Sequence, residues 1–253
     1  MPTQITEFTK TSFSAETTSG DTIKHDFYTR GSGPVIVIIQ ELPGIGQSTL
    51  RLADKFIGAG FQVVMPHLFG PIGKTKILGN LVRVFCLRKE FSVFSKNQSS
   101  PIVDWLKALC RSIRAEQNIS GVGVIGMCLT GNFAISLMAD ESVLAAVSSQ
   151  PAMPLNDPAA LHISASEIAA IKSNIDRNMP IKAFRFEHDW MSRKAKFDAL
   201  DKAFNSGKER IQMTTLPGKK HSVFTLDFVD QEGHPTHTAL QDVIAYFKSS
   251  LIA

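Results

Sequence analysis

Cysteine is scarce in this sequence. Cys86, Cys110 and Cys128 are three in number and show no CxxC spacing, which excludes a disulfide framework and a zinc ribbon. No apolar run approaches the ~20 residues of a membrane span. The N-terminal stretch MPTQITEFTKTSFSAETTSG lacks the basic-then-apolar order of a signal peptide. Charge of one sign is also missing: 27 basic residues face 23 acidic ones, a net +4, too small an excess to point to nucleic acid. Neither an internal repeat nor a low-complexity linker divides the 253 residues, so one domain spanning 1–253 is expected. With 43% apolar and 20% charged residues the composition is that of a globular chain. These absences predict a soluble protein of a reducing compartment, the cytoplasm.

What is present alternates. Short β-rich runs occur at Val35–Ile39, Phe61–Met65, Val122–Met127, Val143–Val147, Ile181–Phe186 and Ile211–Leu216. Their nearly continuous apolar character suits strands buried on both faces, as in a parallel sheet. Stretches of helical period separate them: Ser48–Gly58, Pro101–Ile113, Leu129–Ala139, Ser166–Ile175, Arg193–Phe204 and Pro235–Leu251. Thr22–Tyr28 reads as an edge hairpin strand. The pattern predicts an α/β fold with a mostly parallel central sheet flanked by helices. Residues 70–99 fit least well, and carry Lys74, Lys76, Arg83, Arg88 and Lys89 with Glu90 as the one nearby acid. They read either as a basic lid over the strand ends or as a solvated helix face.

The chemistry concentrates in Gly121-Val-Gly-Val-Ile-Gly126-Met-Cys128-Leu-Thr130-Gly131. Gly121, Gly123 and Gly126 spell G-x-G-x-x-G, but a dinucleotide site needs those glycines after a strand and at a helix start. Here they precede and interrupt the strand, and the following strand runs into Ser148-Ser149 instead of an acid. The same residues also read strand, Cys128, helix. A nucleophile elbow requires that context, because a sharp turn lifts the side chain over the sheet and leaves no room for bulk beside it. The side chain is expected at an exposed elbow, its thiol favoured as thiolate by the helix end. A buried structural cysteine is the plain alternative.

Partners lie downstream in the order nucleophile, acid, histidine. Asp189 follows the strand Ile181–Phe186, and His221 follows Ile211–Leu216 in the loop Pro217–Phe224. Glu187 is read as still within its strand and paired with a base, and His188 is its neighbour. His234 and His237 fall in the first turn of the last helix and read as caps, with no third ligand for a metal. Glu41 ends the most apolar strand, where an unpaired carboxylate is costly. It reads as a site carboxylate facing the thiol or as an anion at a helix N-terminus near Gly44–Gly46.

These residues resemble the dienelactone hydrolases, of the α/β-hydrolase fold, over about Ile36–Ile252. The anchors are Ile39-Gln-Glu41-Leu-Pro-Gly44, Gly60-Phe-Gln-Val-Val-Met-Pro66, Gly126-Met-Cys128-Leu-Thr-Gly131, Phe186-Glu-His-Asp189 and His221-Ser-Val-Phe224. The resemblance implies Cys128 as nucleophile, His221 as its base, Asp189 as the orienting acid and Glu41 as the group engaging the resting thiol. It also implies an oxyanion hole from the backbone N–H groups of Leu42 and Leu129. No cofactor, metal, nucleic acid or membrane partner is implied, only a small-molecule ester or lactone. Three positions depart from the family pattern: Thr130 stands where glycine is usual, His67 where aspartate is frequent, and Thr225 where an arginine holds a substrate carboxylate. Arg83 and Arg88 are the candidates to replace that arginine. Two other functions stay open: a redox-responsive, non-catalytic protein with Cys128 as sensing thiol, and a binding module using the Lys74–Lys89 segment on anionic surfaces.

Overall fold

Alternating burial within single strands sets the architecture. In β3 (Val35–Ile39) all five residues are buried. Val35, Val37 and Ile39 face one apolar cluster, while Ile36 and Ile38 face another. A central strand covered on both sides requires a sheet between two helical layers. The computed structural model describes residues 2–42, 44–70, 72, 100–152, 157–161 and 163–252. The basic segment with Arg83, Arg88 and Cys86, and all but Gly70 and Ile72 of the lid expected over 70–99, lie outside the described residues.

The strands are β1 (Thr9–Glu16), β2 (Thr22–Arg30), β3, β4 (Gln62–His67), β5 (Val122–Met127), β6 (Val143–Ser149), β7 (Ile181–Phe186) and β8 (Ile211–Leu216). They form one eight-stranded sheet in the order β1-β2-β4-β3-β5-β6-β7-β8. The strands from β3 to β8 run parallel, and β2 is antiparallel to both neighbours. The helices are α1 (Gln47–Gly58), α2 (Pro101–Glu116), α3 (Leu129–Leu137), α4 (Ala165–Arg177), α5 (Lys194–Phe204) and α6 (Pro235–Leu251). On one face Trp105, Leu106 and Leu109 of α2 and Phe133 of α3 pack on the sheet. On the other, Phe56 of α1 meets Phe247 of α6 edge-on at 5.8 Å. Full burial of each such side chain contributes about 1.5–3 kcal/mol.

Two sequence readings are corrected here. Thr22–Tyr28 is not the sheet edge, because β2 is paired on both sides and β1 takes the edge. Of its eight residues only Phe13 and Ala15 are apolar and the rest are mostly exposed, so the hydrophobic pattern gave no strand signal there. Glu187 falls outside its strand, which ends at Phe186, and its only ionic contact among the described residues is His188 at 3.8 Å. The helix caps follow expectation: His234 is the N-cap of α6, its ring accepting from Thr236 N–H, with Pro235 at the first turn.

The glycines of G-x-G-x-x-G are explained by packing. A Cβ at Gly123 would stand 2.8 Å from the Phe247 ring, and one at Gly121 would stand 2.7 Å from Leu144 and from the Ser142 carbonyl. They admit neighbouring side chains and backbone, and no phosphate is needed to account for them.

Candidate active site

All the side chains singled out as catalytic candidates emerge at the carboxyl ends of parallel strands. Glu41 leaves β3, Cys128 leaves β5, and Asp189 and the His221 loop leave the adjacent β7 and β8. The parallel arrangement therefore gathers residues far apart in sequence on one rim of the sheet.

Cys128 sits at φ 60 and ψ −122, between β5 and α3. A left-handed φ is strained for a residue with a Cβ, so the surroundings must hold it. Cys128 N–H donates to Ser149 O at 3.1 Å, while its carbonyl accepts from Gly131 and Ala152 N–H, both at 3.1 Å. The small residues are required: a Cβ on Gly126 would lie 2.0 Å from the Thr130 carbonyl oxygen, and one on Gly131 would lie 2.9 Å from Ser149 O. Thr130, the departure from glycine, is fully buried. Its Oγ1 accepts from Met127 N–H at 2.9 Å, and its single proton is within reach of the carbonyls of Met127 (2.9 Å), Ile39 (3.0 Å) and Gln40 (3.1 Å). The β-branched residue fits because its hydroxyl binds the elbow to the end of β3. One expectation fails: the elbow side chain is buried, Cys128 being only 4% exposed, with Ala152 of the loop after β6 and His221 of the loop after β8 against the residue.

His221 Nδ1 lies 2.7 Å from Asp189 Oδ2. Asp189 is itself fixed, since its buried Oδ1 accepts from Met191 N–H (2.9 Å) and Ser192 N–H (3.0 Å). Asp227 braces the same loop, with Oδ2 accepting from His221 and Ser222 N–H at 3.0 Å each. The other ring nitrogen, Nε2, is buried and makes no well-aligned hydrogen bond among the described residues, yet Cys128 is near enough to act on the ring's charge. Burial pushes the ring's pKa down. The hydrogen bond to Asp189, then the contact with Cys128 and the charges of both partners, push harder the other way, and it is raised to about 10.

That shift predicts a pH effect on stability. A group raised on folding from its ordinary 6.5 to about 10 stabilises the folded chain fully below the lower value. The contribution falls as pH climbs and is lost once pH passes the higher one. The Tm advantage of the wild type over His221→Gln should therefore shrink steadily from pH 6 to pH 10. A constant difference across that window would show that the folded ring does not carry the charge.

Glu41 is 3% exposed. Its Oε2 accepts from Ser222 Oγ and Gln150 Nε2, each at 3.1 Å, and its Oε1 is hydrogen-bonded to Thr225 Oγ1. Burial raises its pKa, and these three hydrogen bonds offset that only in part. The resemblance places Glu41 on the resting thiol, whereas its hydrogen bonds run to the β6 and β8 loops and none joins it to Cys128. Nor does it cap α1, whose N-cap is Gly46. No sequence signal marks Gln150, Ser222 or Asp227, and Thr225 stands out there only as an absent arginine. Leu42 follows Glu41 directly, and Leu129 is the first residue of α3, where an N–H has no intrahelical acceptor. No group of three or more His, Cys, Asp and Glu suited to a metal occurs among the described residues. No helix among them is long and apolar enough to cross a membrane.

Likeness to known proteins agrees with this geometry. Three solved structures share the fold over nearly the whole chain. One is a cold-adapted esterase from an Arctic intertidal metagenomic library, at 15% identity and a TM-score of 0.61, covering 97% of this chain and 95% of that one. Another is a dienelactone hydrolase-like promiscuous phosphotriesterase from metagenomic libraries, at 13% identity and 0.66, covering 96% and 99%. The third is an esterase of Pyrococcus furiosus, at 12% identity and 0.60, covering 96% and 92%. No curated protein matches the sequence. The sequence pattern of the dienelactone hydrolase family, in contrast, matches residues 27–251. With that match spanning most of its length, the chain belongs to the dienelactone hydrolase family of carboxylic ester hydrolases.

Proposed function

We propose that the protein hydrolyses an ester or lactone, including activated enol esters, through a thioester on Cys128, within a single domain. One observation carries the reading: a strained strand-to-helix cysteine shares its rim with a 2.7 Å Asp189–His221 pair, in the chain order nucleophile, acid, base.

A free thiol is only a few per cent ionised at neutral pH, so a base must take its proton. His221, its ring pKa raised to about 10, is the group that holds that proton on Nε2, while Asp189 holds Nδ1–H and stabilises the imidazolium. The Cys128 sulfur attacks the acyl carbon, and the carbonyl oxygen becomes an oxyanion facing the N–H groups of Leu42 and Leu129. Such donors are typically worth about 3–4 kcal/mol each. Collapse expels the alcohol or enol, which takes the proton from imidazolium. His221 then deprotonates a water that attacks the thioester, and the thiol is regenerated. The substrate is a small molecule, and a free thiol nucleophile suits the reducing conditions of the cytoplasm. The burial of Cys128 weighs against a sensing thiol, which needs solvent access.

Intact-mass analysis during turnover of a panel of activated esters and lactones tests the proposal. The expected result is a transient adduct of the acyl mass, mapped to the peptide containing Cys128. Turnover with no adduct on that peptide, even in rapidly quenched samples, would overturn it.

A further inference from the structure

Glu41 lies at the end of β3, but each of its partners belongs to a different loop: Gln150 after β6, and Ser222 and Thr225 after β8. None of the three is charged, and no lysine or arginine pairs with Glu41 among the described residues. The side chain is nonetheless almost wholly withdrawn from water. An ionised carboxylate so placed is costly without a cation, whereas a neutral acid with every polar atom paired costs little. The His221 ring is the charged group that faces it, and it favours ionisation less than burial opposes it. That ring's charge is already answered by Asp189 at 2.7 Å.

The partners fix where a proton would sit. Gln150 receives Val223 N–H at its Oε1 (3.4 Å), so its amide nitrogen must point to Glu41 Oε2. Ser222 Oγ also donates to that oxygen. Oε2 thus accepts twice, and the acid proton belongs on Oε1, in the short contact with Thr225. Gln150 reaches this position from a left-handed φ of 34, a conformation an L-residue keeps only when its surroundings enforce it. Its backbone N–H is held by Phe184 O at 2.6 Å. Through Gln150, Ser222 and Thr225 the hub grips the segment that begins at His221.

We propose that Glu41 is a positioning residue: an uncharged hydrogen-bond hub, its proton shared with Thr225, that holds the His221 loop in register with the Cys128 elbow. The proposal rests on the reading of Cys128 and His221 as nucleophile and base. Glutamine at position 41 reproduces the neutral acid, its NH2 donating to Thr225 and its oxygen accepting from Ser222 and Gln150. Alanine leaves the Ser222 and Gln150 donors and the Thr225 hydroxyl without their buried partner, and displacements of about 1 Å from such losses cost on the order of 100-fold in rate.

The test compares kcat and KM for one activated ester in the full-length wild type, Glu41→Gln, Glu41→Ala and Thr225→Val, all corrected for folded fraction. Glu41→Ala should lose about 100-fold in kcat with KM little changed. Glu41→Gln should restore kcat to within about threefold of the wild type, and Thr225→Val should fall between them. A Glu41→Gln loss as large as that of alanine would show that Glu41 acts through its charge and overturn the inference. Normal kcat in the folded fraction of Glu41→Ala would also overturn it, leaving a structural role alone. If Glu41→Ala does not fold, retention in Glu41→Gln with loss in Thr225→Val upholds the proposal, and any other pairing overturns it. A wild type that turns over no ester refutes the hydrolase reading instead, so the two failures are distinct.

Discussion

Cys128→Ala is expected to lower ester turnover by on the order of 10³-fold or more while the protein keeps its fold. The nucleophilic atom is gone, and the residual rate comes only from binding and the backbone donors. Stability should change little, because a single sulfur is removed and the hydrogen bonds that hold the elbow are made by the backbone of residues 128, 131, 149 and 152. Loss of one buried atom of this size costs on the order of 1 kcal/mol. Alanine also keeps the Cβ that the strained φ already accommodates. Initial rates on a chromogenic ester, with Tm on the same preparation, check the prediction. Turnover comparable to the wild type in a folded variant would defeat the mechanism. Cys128→Ser should also be much slower than the wild type, since a hydroxyl is far harder to deprotonate than a thiol.

The second large effect is expected from Asp189→Asn, a drop of roughly 10³–10⁴-fold in kcat with the fold retained. The reason is the direction of one amide. Oδ1 of Asp189 accepts from Met191 and Ser192 N–H, so the asparagine oxygen must take that place. Its NH2 then occupies the position of Oδ2 and donates to His221 Nδ1, where the native carboxylate accepts. A ring no longer held charged keeps its one proton on Nε2, the nitrogen that has to hold the thiol proton. The ring also loses the hydrogen bond that does most to raise its pKa. Rate measurements together with nitrogen chemical shifts of the His221 ring check both parts. An unchanged kcat, or a ring still protonated at Nδ1, would contradict the argument.

The parts of the fold legible in the sequence were those under a single strong constraint. Continuous apolar runs mark strands covered on both faces, and β3, β5 and β7 are where that pattern places them, with β4 and β6 offset by a residue or two; β8 is also in place, although as an edge strand it leaves Thr214 and Thr215 exposed. The edge strand β1 was invisible because one of its sides needs no apolar residues. Cys128, Asp189 and His221 could be found because chain order and strand ends carry their signature. The hub around Glu41 could not. Gln150, Ser222 and Thr225 are ordinary polar loop residues, and only the order of strands in the sheet brings them together. The burial of Cys128 was hidden for the same reason: residues against it, Ala152 and His221, come from loops after other strands.

Thr130 has a consequence for the acyl group that the site accepts. The two N–H groups proposed to meet the oxyanion belong to separate stretches of chain, one leaving β3 and the other opening α3. With glycine at position 130 this link between them would be gone, leaving the β3–β5 pairing and apolar packing to hold them together. Here one hydroxyl spans the gap, receiving Met127 N–H while reaching the carbonyls of Ile39 and Gln40. In the proposed mechanism that link makes the spacing of the two donors a fixed gauge. A carbonyl whose oxygen swings into that gauge as its carbon turns tetrahedral meets both donors without any rearrangement of the protein. One whose bulk holds the oxygen to one side meets a single donor, and the side chain that sharpens the site for the first also narrows it against the second.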